Sequence, residues 1–357
     1  MKPAKAPVHL VAVALALSLL AGCYKPGDEP ATGGAAGETG ISAGESGQPT
    51  DQGEPGAEPG SQAPASGQLT IGMSQCNLGE PWRVQMNADV KAAAEKHADQ
   101  LEVIFQDAQN DTLKQRAHVE EFVAAGVDLI VISPKEAAPL TEPVAKAMDA
   151  GIPVIVLDRA VLGDEYTCFI GADNVQIGHA AGKWIAGKLA GKGKVVELKG
   201  LMTSTPGQDR HSGFREAIEG TGIEVIFEAD MKWLEPNARK EMESALARFD
   251  KIDAVYAHND PGAHGAYLAA KAAGRQDEML FVGIDALPQE GVAYVHNGIL
   301  DATFQYPTGG AEAIDVALKI LRGERVPKKI TLGSRVFTAD NVAEGGEKLK
   351  LEEAAKP

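Results

Sequence analysis

Residues 127–157, VDLIVISPKEAAPLTEPVAKAMDAGIPVIVL, contain the pattern that decides the fold of this chain. Two short apolar runs rich in β-branched residues, 127–132 and 152–157, predict buried strands. Gly151 stands directly before the second run, where a helix between the two strands would end. A strand, a helix and a second strand of this kind form one unit of a parallel sheet with helices on both faces.

The same alternation continues on both sides of this unit. Further strands are predicted at 69–74, 101–106, 167–171, 194–199, 223–228, 252–257, 279–284, 300–305 and near 330–338. The strands form two sets of five, followed by a predicted helix at 307–322 and one more strand. The fold class is therefore α/β, with two doubly wound parallel-sheet domains joined by a hinge that the chain crosses more than once. We assign residues 69–172 plus 306–330 to the first lobe, 173–305 plus 331–340 to the second, and 341–357 to a tail.

The N-terminal segment is typical of an export signal that ends at a lipidated cysteine. A lysine-containing start precedes an apolar run at 10–21, which is short for a membrane span and suitable for a signal peptide. The run ends in LAGC at 20–23, which resembles the bacterial lipoprotein box. We therefore expect residues 1–23 to be a lipoprotein signal peptide, with Cys23 lipidated. The alternative is an ordinary signal peptide in which this cysteine occurs by chance.

Residues 24–68 have the composition of a tether. Among them are 11 Gly and 6 Pro, with almost no large apolar side chain. Such a segment cannot bury enough apolar surface to offset the entropy lost on ordering, so we expect a disordered linker. A lipid, a long linker and a folded body together indicate a protein that is anchored to a membrane and whose folded body can move away from the anchor by the length of the linker.

The composition excludes several classes of partner and cofactor. The net charge of −16 argues against a nucleic-acid partner and against an anionic membrane surface, both of which favour basic proteins. Three cysteines are too few for a disulfide scaffold, although a bond between Cys76 and Cys168 stays open in an oxidising compartment. His258, His264 and Asp260 lack a further ligand at supporting spacing, so we expect no metal, and no cofactor motif is present.

Polar and aromatic residues recur directly after the predicted strands. Open parallel sheets bind ligands outside the carboxyl ends of their strands, so these residues are candidates for a binding site. The candidates are Ser74, Trp82, Arg83, Asp158, Arg159, Asp209, Arg210, Trp233, Asn259, Asp285 and Gln305. Both halves of the chain contribute to the set.

This mixture of side chains suits a polyhydroxylated ligand. Asp and Arg can each pair with two adjacent hydroxyl groups, and a sugar ring can stack its C–H faces on aromatic rings. Trp82 and Trp233, one from each half, would then enclose the ring. Structural roles are the alternatives: packing for the tryptophans, a helix start for Asp209, and a helix cap for Asn259 or Asp260.

The body from residue 69 to about 340 resembles the periplasmic sugar-binding proteins of the ribose and galactose class, the substrate-binding subunits of ABC importers. The resemblance is carried by LDR at 157–159, GADN at 171–174, KVVELKG at 194–200, QDRHSGF at 208–214, YAHND at 256–260 and VGID at 282–285. It implies ligand contacts at the candidate positions. Trp82-Arg83 together with Asp209-Arg210 is most similar to the galactofuranose-binding branch.

Three departures separate this chain from the ribose binders. Those proteins carry an arginine at the position of Gln208 and an aromatic residue at the position of Arg83, which argues against ribose as the ligand. The segment 302–307 is about one residue shorter than the family pattern, which makes Gln305 the least secure contact.

The sequence therefore predicts a binding protein and not an enzyme. We expect a monomer, exported and lipid-anchored at the cell envelope, that captures a monosaccharide between two closing lobes and delivers it to an ABC permease. A ligand-sensing partner of a chemoreceptor or sensor kinase is an alternative with the same fold. A sugar-modifying enzyme would need a general acid, and arginines beside the candidate aspartates are expected to keep them ionised.

Overall fold

The computed structural model describes residues 67–350. The predicted signal peptide, the lipidation site Cys23, the linker up to residue 66 and the end of the tail lie outside the described residues. Between residues 67 and 350, no helix is both long and apolar enough to span a membrane.

The first lobe is built on a six-stranded parallel sheet. Its elements are β1 (Leu69–Gln75), α1 (Pro81–Glu95), β2 (Leu101–Asp107), α2 (Thr112–Ala125), β3 (Leu129–Ser133), α3 (Ala137–Asp149), β4 (Val154–Leu157), β5 (Cys168–Ala172), α9 (Gly310–Leu321) and β11 (Lys329–Leu332). The strand order is β11-β5-β4-β3-β1-β2. All five adjacent pairs are parallel, as the alternating pattern predicts.

The apolar residues of these strands alternate between the two faces of the sheet. Ile71, Leu129 and Ile155 pack in the cluster that includes residues of α1 and α9. Ile130 and Val154 pack in a second cluster, with residues of α2 and α3. Because helices cover both faces, every position of the inner strands β3 and β4 is buried, which is why these strands are continuous apolar runs in the sequence. The edge strands β2 and β11 are mostly half-buried or exposed.

The second lobe repeats this arrangement with a seven-stranded sheet. Its elements are α4 (Asn174–Lys188), β6 (Lys192–Lys199), α5 (Thr205–Ile218), β7 (Gly222–Asp230), α6 (Glu235–Arg248), β8 (Ala254–Ala257), α7 (Asp260–Ala272), β9 (Leu280–Asp285), a π-helical turn (Pro288–Val292), α8 (Ala293–His296), β10 (Ala302–Gln305), β12 (Arg335–Thr338), a 3₁₀ turn (Val342–Glu344) and β13 (Glu347–Lys348). The strand order is β13-β12-β10-β9-β8-β6-β7. β12 and β13 are antiparallel to their neighbours.

The last predicted strand, near 330–338, is in fact two strands in different sheets. β11 pairs with β5 of the first lobe, so residues 331 and 332, which we had placed in the second lobe, belong to the first. β12 pairs with β10 of the second lobe, and residues 347 and 348 of the predicted tail pair with β12. A local pattern cannot reveal this division, because the partner of each strand is set by the distant chain that it meets.

The described chain passes between the lobes three times. The passages lie between β5 and α4, between β10 and α9, and between β11 and β12. Three adjacent crossings form a hinge of the kind on which two rigid lobes can rotate.

Candidate functional site

The carboxyl ends of the two sheets meet at a cavity between the lobes. The cavity is narrow in this structure, with free space of the order of a single water molecule. Its lining consists of Glu80, Trp82, Arg83, Asp158, Arg159, Pro206, Arg210, Trp233, Asn259, Asp285 and Tyr306. Both lobes contribute, and Tyr306 lies on the crossing between β10 and α9.

Eight of the eleven residues proposed from the sequence line this cavity. They are Trp82, Arg83, Asp158, Arg159, Arg210, Trp233, Asn259 and Asp285. All eight are buried. The rule that ligands bind at strand carboxyl ends therefore located most of the lining without knowledge of the tertiary structure.

The other three candidates lie outside the cavity lining. Ser74 is fully buried, with its hydroxyl 3.2 Å from Nδ1 of His118. Asp209 lines a neighbouring groove with Asp173, and burial followed by the Asp173 charge raises the pKa of its carboxyl. Gln305 lines a different groove.

The geometry of helices and extended segments explains why two of these three candidates, Asp209 and Gln305, do not line the cavity. Consecutive helical residues point about 100° apart, so Arg210 faces the cavity and the preceding Asp209 does not. Consecutive residues of an extended segment point to opposite sides, so Tyr306 faces the cavity and Gln305 does not.

Sequence reasoning missed Glu80, Pro206 and Tyr306 as lining residues. Glu80 is the N-cap residue of α1, in the segment that follows β1, and Tyr306 directly follows β10, so position after a strand was a usable signal for both. Pro206 is the second residue of α5 and offers no polar group that would have singled it out.

The helix-start alternatives are resolved by the observed helix ends. α5 begins at Thr205, so Asp209 lies inside the helix and does not start it. Asn259, and not Asp260, is the N-cap of α7: its Oδ1 accepts the Gly262 N–H at 3.0 Å. Its Nδ2 also donates to the carbonyl oxygen of Trp233 at 3.0 Å, which links the cap to the cavity lining.

A buried ion pair forms the first-lobe side of the cavity. Nη1 of Arg83 donates to Oδ2 of Asp158 at 2.6 Å and to Oγ of Ser133 at 2.8 Å. Burial alone would lower the pKa of Arg83, but Asp158, Cys76 and Glu80 together outweigh burial, and the pKa lies above its usual value. The guanidinium therefore stays charged, and the first-lobe side of the cavity carries a fixed cation.

Arg210 has the corresponding place in the second lobe. Its Nε donates to Oδ1 of Asn174 at 2.9 Å, and its Nη1 donates to the carbonyl of His258. Nη1 is also 3.5 Å from Oδ1 of Asp285. Burial raises the pKa of Asp285 well above its ordinary value, and Arg210 offsets only part of this rise. Arg210 therefore favours the ionised form of Asp285, as expected of a neighbouring arginine, while burial opposes it.

Two tryptophans contribute aromatic faces from opposite lobes. Nε1 of Trp82 donates to the carbonyl of Tyr306 at 2.9 Å, and the two rings are 5.5 Å apart. The Trp233 ring lies 5.5 Å from the Arg159 guanidinium of the first lobe and 5.4 Å from Arg210. The Arg159–Trp233 contact joins the lobes, so the structure represents a closed arrangement.

Three lining residues adopt the left-handed backbone conformation. The φ angles are 70° at Asp158, 68° at Trp233 and 124° at Asp285. Residues with side chains rarely adopt this region, and such strain, about 1–3 kcal/mol each, concentrates at functional sites. Backbone strain is therefore present at three of the eleven residues that line the cavity.

Three buried nitrogens of the lining have no hydrogen-bond partner: Nε of Arg83, Nε of Arg159 and Nε1 of Trp233. The Nε atoms of Arg83 and Arg159 each lie 3.8 Å from a carboxylate oxygen, of Glu80 and Asp158, which is beyond hydrogen-bond distance. A buried donor without a hydrogen bond costs about 1–3 kcal/mol, and native proteins rarely leave several together. The lining also balances its formal charge, since three carboxylates (Glu80, Asp158, Asp285) meet three arginines (Arg83, Arg159, Arg210). The cavity is therefore suited to a neutral ligand with several acceptor oxygens.

The histidines and cysteines do not form the sites that were considered for them. His258 and His264 contact different carboxylates, Glu197 and Glu235. Glu197, His211 and Glu228 lie close enough to hold a cation, but the Arg215 guanidinium already bridges the two carboxylates, at 3.0 and 2.5 Å. Cys76 and Cys168 are both buried free thiols.

A two-lobed α/β fold with a polar, tryptophan-lined cavity at the hinge defines a ligand-binding protein. Residues 71–325 match the family model described as a periplasmic binding protein domain, and the chain belongs to that family. The chain is 33% identical to the ribose import binding protein of Escherichia coli over 73% of its length and 87% of that protein's. It is 33% identical to the galactofuranose-binding protein of the same organism, covering 79% and 92% of the two chains.

Solved structures give the same family. The fructose-binding periplasmic domain of a hybrid two-component system is 45% identical, with a TM-score of 0.76, over 78% of this chain and 93% of that domain. A Mycobacterium smegmatis protein in complex with β-D-fucofuranose is 30% identical, with a TM-score of 0.74, over 78% and 93% of the two chains. The chain is thus a periplasmic binding protein, and the sequence relatives named here are ribose- and galactofuranose-binding proteins.

Proposed function

We propose that the protein binds one neutral monosaccharide in the cavity between its lobes and delivers it to an ABC importer. The observation that carries this proposal is the set of unpaired buried donors from both lobes around a charge-balanced cavity. Sugar hydroxyl and ring oxygens supply the acceptors that these nitrogens lack. An anionic ligand would upset the charge balance and is disfavoured.

Closure of the lobes would couple binding to delivery. The lobes already touch through the Arg159–Trp233 contact and through Ala160 N–H, which donates to Oγ1 of Thr205 at 3.0 Å. A sugar that contacts both lobes only when they are shut stabilises the closed form. A permease that recognises this closed surface would then receive loaded protein in preference to empty protein.

Among monosaccharides, five-membered rings are the first to test. Solved relatives at least 28% identical include a fructose-binding domain, a galactofuranose-binding protein, and complexes with β-D-fucofuranose and L-arabinofuranose. A myo-inositol complex at 33% identity keeps cyclic polyols in the comparison. Arg83 in place of the aromatic residue of ribose binders makes ribose the less favoured candidate.

A thermal-shift screen of the purified protein tests this proposal. The sugars are D-fructose, D-galactofuranose, L-arabinose, D-ribose and myo-inositol. A ligand at 100 times its Kd, bound only by the folded state, is expected to add about 2.7 kcal/mol and raise the melting temperature by several degrees. Calorimetry on each hit measures Kd. If no sugar raises the melting temperature, the monosaccharide proposal is wrong.

Membrane anchoring through Cys23 is a separate part of the proposal. The family consists of periplasmic binding proteins, which fits the predicted export signal. Cells grown with labelled palmitate are expected to label the wild type and a Cys168→Ser control, but not a Cys23→Ser variant. Equal labelling of the Cys23→Ser variant would contradict anchoring at this residue.

Ligand sensing is the second candidate function, favoured by one observation. The 45% identical structure is the periplasmic domain of a hybrid two-component system. Measuring uptake of the identified sugar in a strain that lacks this protein distinguishes transport from sensing. Lost uptake supports transport, whereas normal uptake with a lost transcriptional response supports sensing.

A further inference from the structure

A buried carboxylate behind the cavity, Asp260, makes contacts that the cavity lining does not explain. It is fully buried and begins α7, directly after the cap residue Asn259. Its Oδ2 accepts the backbone N–H of Ala286 at 2.7 Å, and its Oδ1 accepts Oγ1–H of Thr303 at 2.6 Å. Within residues 67–350, no lysine, arginine or histidine forms an ion pair with it.

The first of these bonds holds the strained corner that follows β9. Asp285 has a φ of 124° and Ala286 a φ of 54°. Two successive left-handed residues with side chains cost several kcal/mol and persist only where surrounding contacts hold them. The bond from Ala286 N–H to Asp260 is such a contact, and it lies one residue from the carboxylate that enters the cavity.

Two glycines leave room for this carboxylate. A Cβ at Gly283 would collide with Oδ1 of Asp260, and a Cβ at Gly291 would collide with Oδ2. Gly283 lies on β9 and Gly291 in the π-helical turn that follows. The Asp260 carboxylate is thus enclosed by the two segments on either side of the Asp285–Ala286 corner, and connected to β10 through Thr303.

We propose that Asp260 is a positioning residue for sugar binding, which holds the Asp285–Ala286 corner so that Asp285 stays in the cavity beside Arg210. This inference rests on the proposed function, because Asp285 is taken to contact the sugar. Asp260 itself does not line the cavity. The alternative is a purely structural role, in which an acid at the start of α7 stabilises the helix dipole. That role predicts a loss of stability without a specific link to Asp285.

A double-mutant cycle between Asp260→Asn and Asp285→Asn distinguishes these roles. Asparagine keeps the shape of Asp260 but can accept at only one position, so one of the two bonds is lost. With D-fructose as the first probe, or the best sugar of the thermal screen, Asp260→Asn is expected to weaken binding about tenfold. In the Asp285→Asn background it is expected to have no further effect, because the residue through which it acts is already altered.

Controls keep the result specific. Oδ2 of Asp253 accepts the backbone N–H of Lys194 at 2.8 Å in the same lobe, away from the cavity. Asp253→Asn is expected to leave affinity unchanged. If Asp260→Asn does not fold, Thr303→Val removes the second bond alone and takes its place in the cycle, with a loss of a few-fold.

A measurement without ligand separates this inference from the proposed function. Hydrogen exchange of the Ala286 amide in the sugar-free protein is expected to be at least tenfold faster in Asp260→Asn than in the wild type. Unchanged exchange, unchanged affinity, or equal losses of affinity in the wild-type and Asp285→Asn backgrounds would overturn the positioning role. Failure of every sugar to bind the wild type, with exchange accelerated as expected, would instead reject only the sugar-binding function.

Discussion

Replacement of Asp158 by asparagine is expected to weaken sugar binding by about a hundredfold. Asp158 is buried and accepts Nη1 of Arg83 at 2.6 Å. Removing one charge of a buried hydrogen-bonded pair at a binding site costs about 2–5 kcal/mol, and about 2.7 kcal/mol is a hundredfold in Kd. Asparagine tolerates the φ of 70° at this position, so the backbone need not change. Calorimetry at pH 7 measures the effect.

Two further variants test whether the loss belongs to the cavity. Asp149→Asn, at the exposed end of α3, removes the same charge elsewhere in the lobe and is expected to leave Kd unchanged. Trp233→Ala removes the aromatic face of the second lobe and is expected to weaken binding more than tenfold while the protein stays folded. Normal affinity in both Asp158→Asn and Trp233→Ala would show that the sugar binds elsewhere.

Replacement of Glu197 by glutamine is expected to lower the free energy of unfolding by about 3 kcal/mol at pH 7. Glu197 is fully buried on β6. Its Oε1 accepts Nδ1–H of His211 at 2.8 Å and Nε2–H of His258 at 3.1 Å. Its Oε2 accepts Nε–H of Arg215 at 3.0 Å. A glutamine NH₂ group would face donors, and the Arg215 guanidinium would keep only Glu228 as a carboxylate partner.

The pH dependence of stability follows from the same contacts. Burial alone would raise the pKa of Glu197, but the hydrogen bonds from His211 and His258 outweigh it and lower the pKa from 4.5 to about 2. Because the folded pKa is depressed, this stabilisation is complete above pH 4.5 and is lost as the pH falls towards 2. A shift of this size corresponds to about 3 kcal/mol, in agreement with the expected effect of the substitution.

Urea unfolding from pH 7 down to pH 3 measures both effects. The wild type is expected to lose stability steeply below pH 4.5, and Glu197→Gln to lose less over the same range. Glu243→Gln breaks an exposed pair with Arg239 and is expected to change stability by less than about 1 kcal/mol. A loss below 1 kcal/mol in Glu197→Gln, or an unchanged acid response, would contradict the assigned contacts.

One residue that contacts Glu197 also contacts a residue of the cavity between the lobes. The ring of His258 donates to Glu197, and the backbone carbonyl of the same residue accepts Nη1 of Arg210. The His258 and Trp233 rings lie 6.4 Å apart. The second-lobe side of the cavity is therefore held by buried contacts that run from Glu197 through His258 to Arg210. The first lobe forms the opposite side of the cavity.

The sequence by itself determined the fold class and most of the cavity. Each of the first ten predicted strands overlaps an observed strand, with ends that differ by at most two residues. This accuracy has a physical cause: inner strands covered on both faces must be apolar throughout, and the edge strands still carry several β-branched or aromatic residues, so both kinds are visible locally. All strand carboxyl ends of a parallel sheet lie at one edge, so residues that follow strands converge without knowledge of the strand order.

Only the tertiary structure decided which of two adjacent residues enters the cavity. Arg210 is oriented by Asn174, 36 residues away, and Tyr306 by Trp82, 224 residues away. The neighbours Asp209 and Gln305 are equally suited to sugars but point elsewhere. The division of the last predicted strand between two sheets was likewise set by partners distant in sequence. The rotation of a helix or strand about its axis depends on packing against segments distant in sequence, so it cannot be predicted from the local composition.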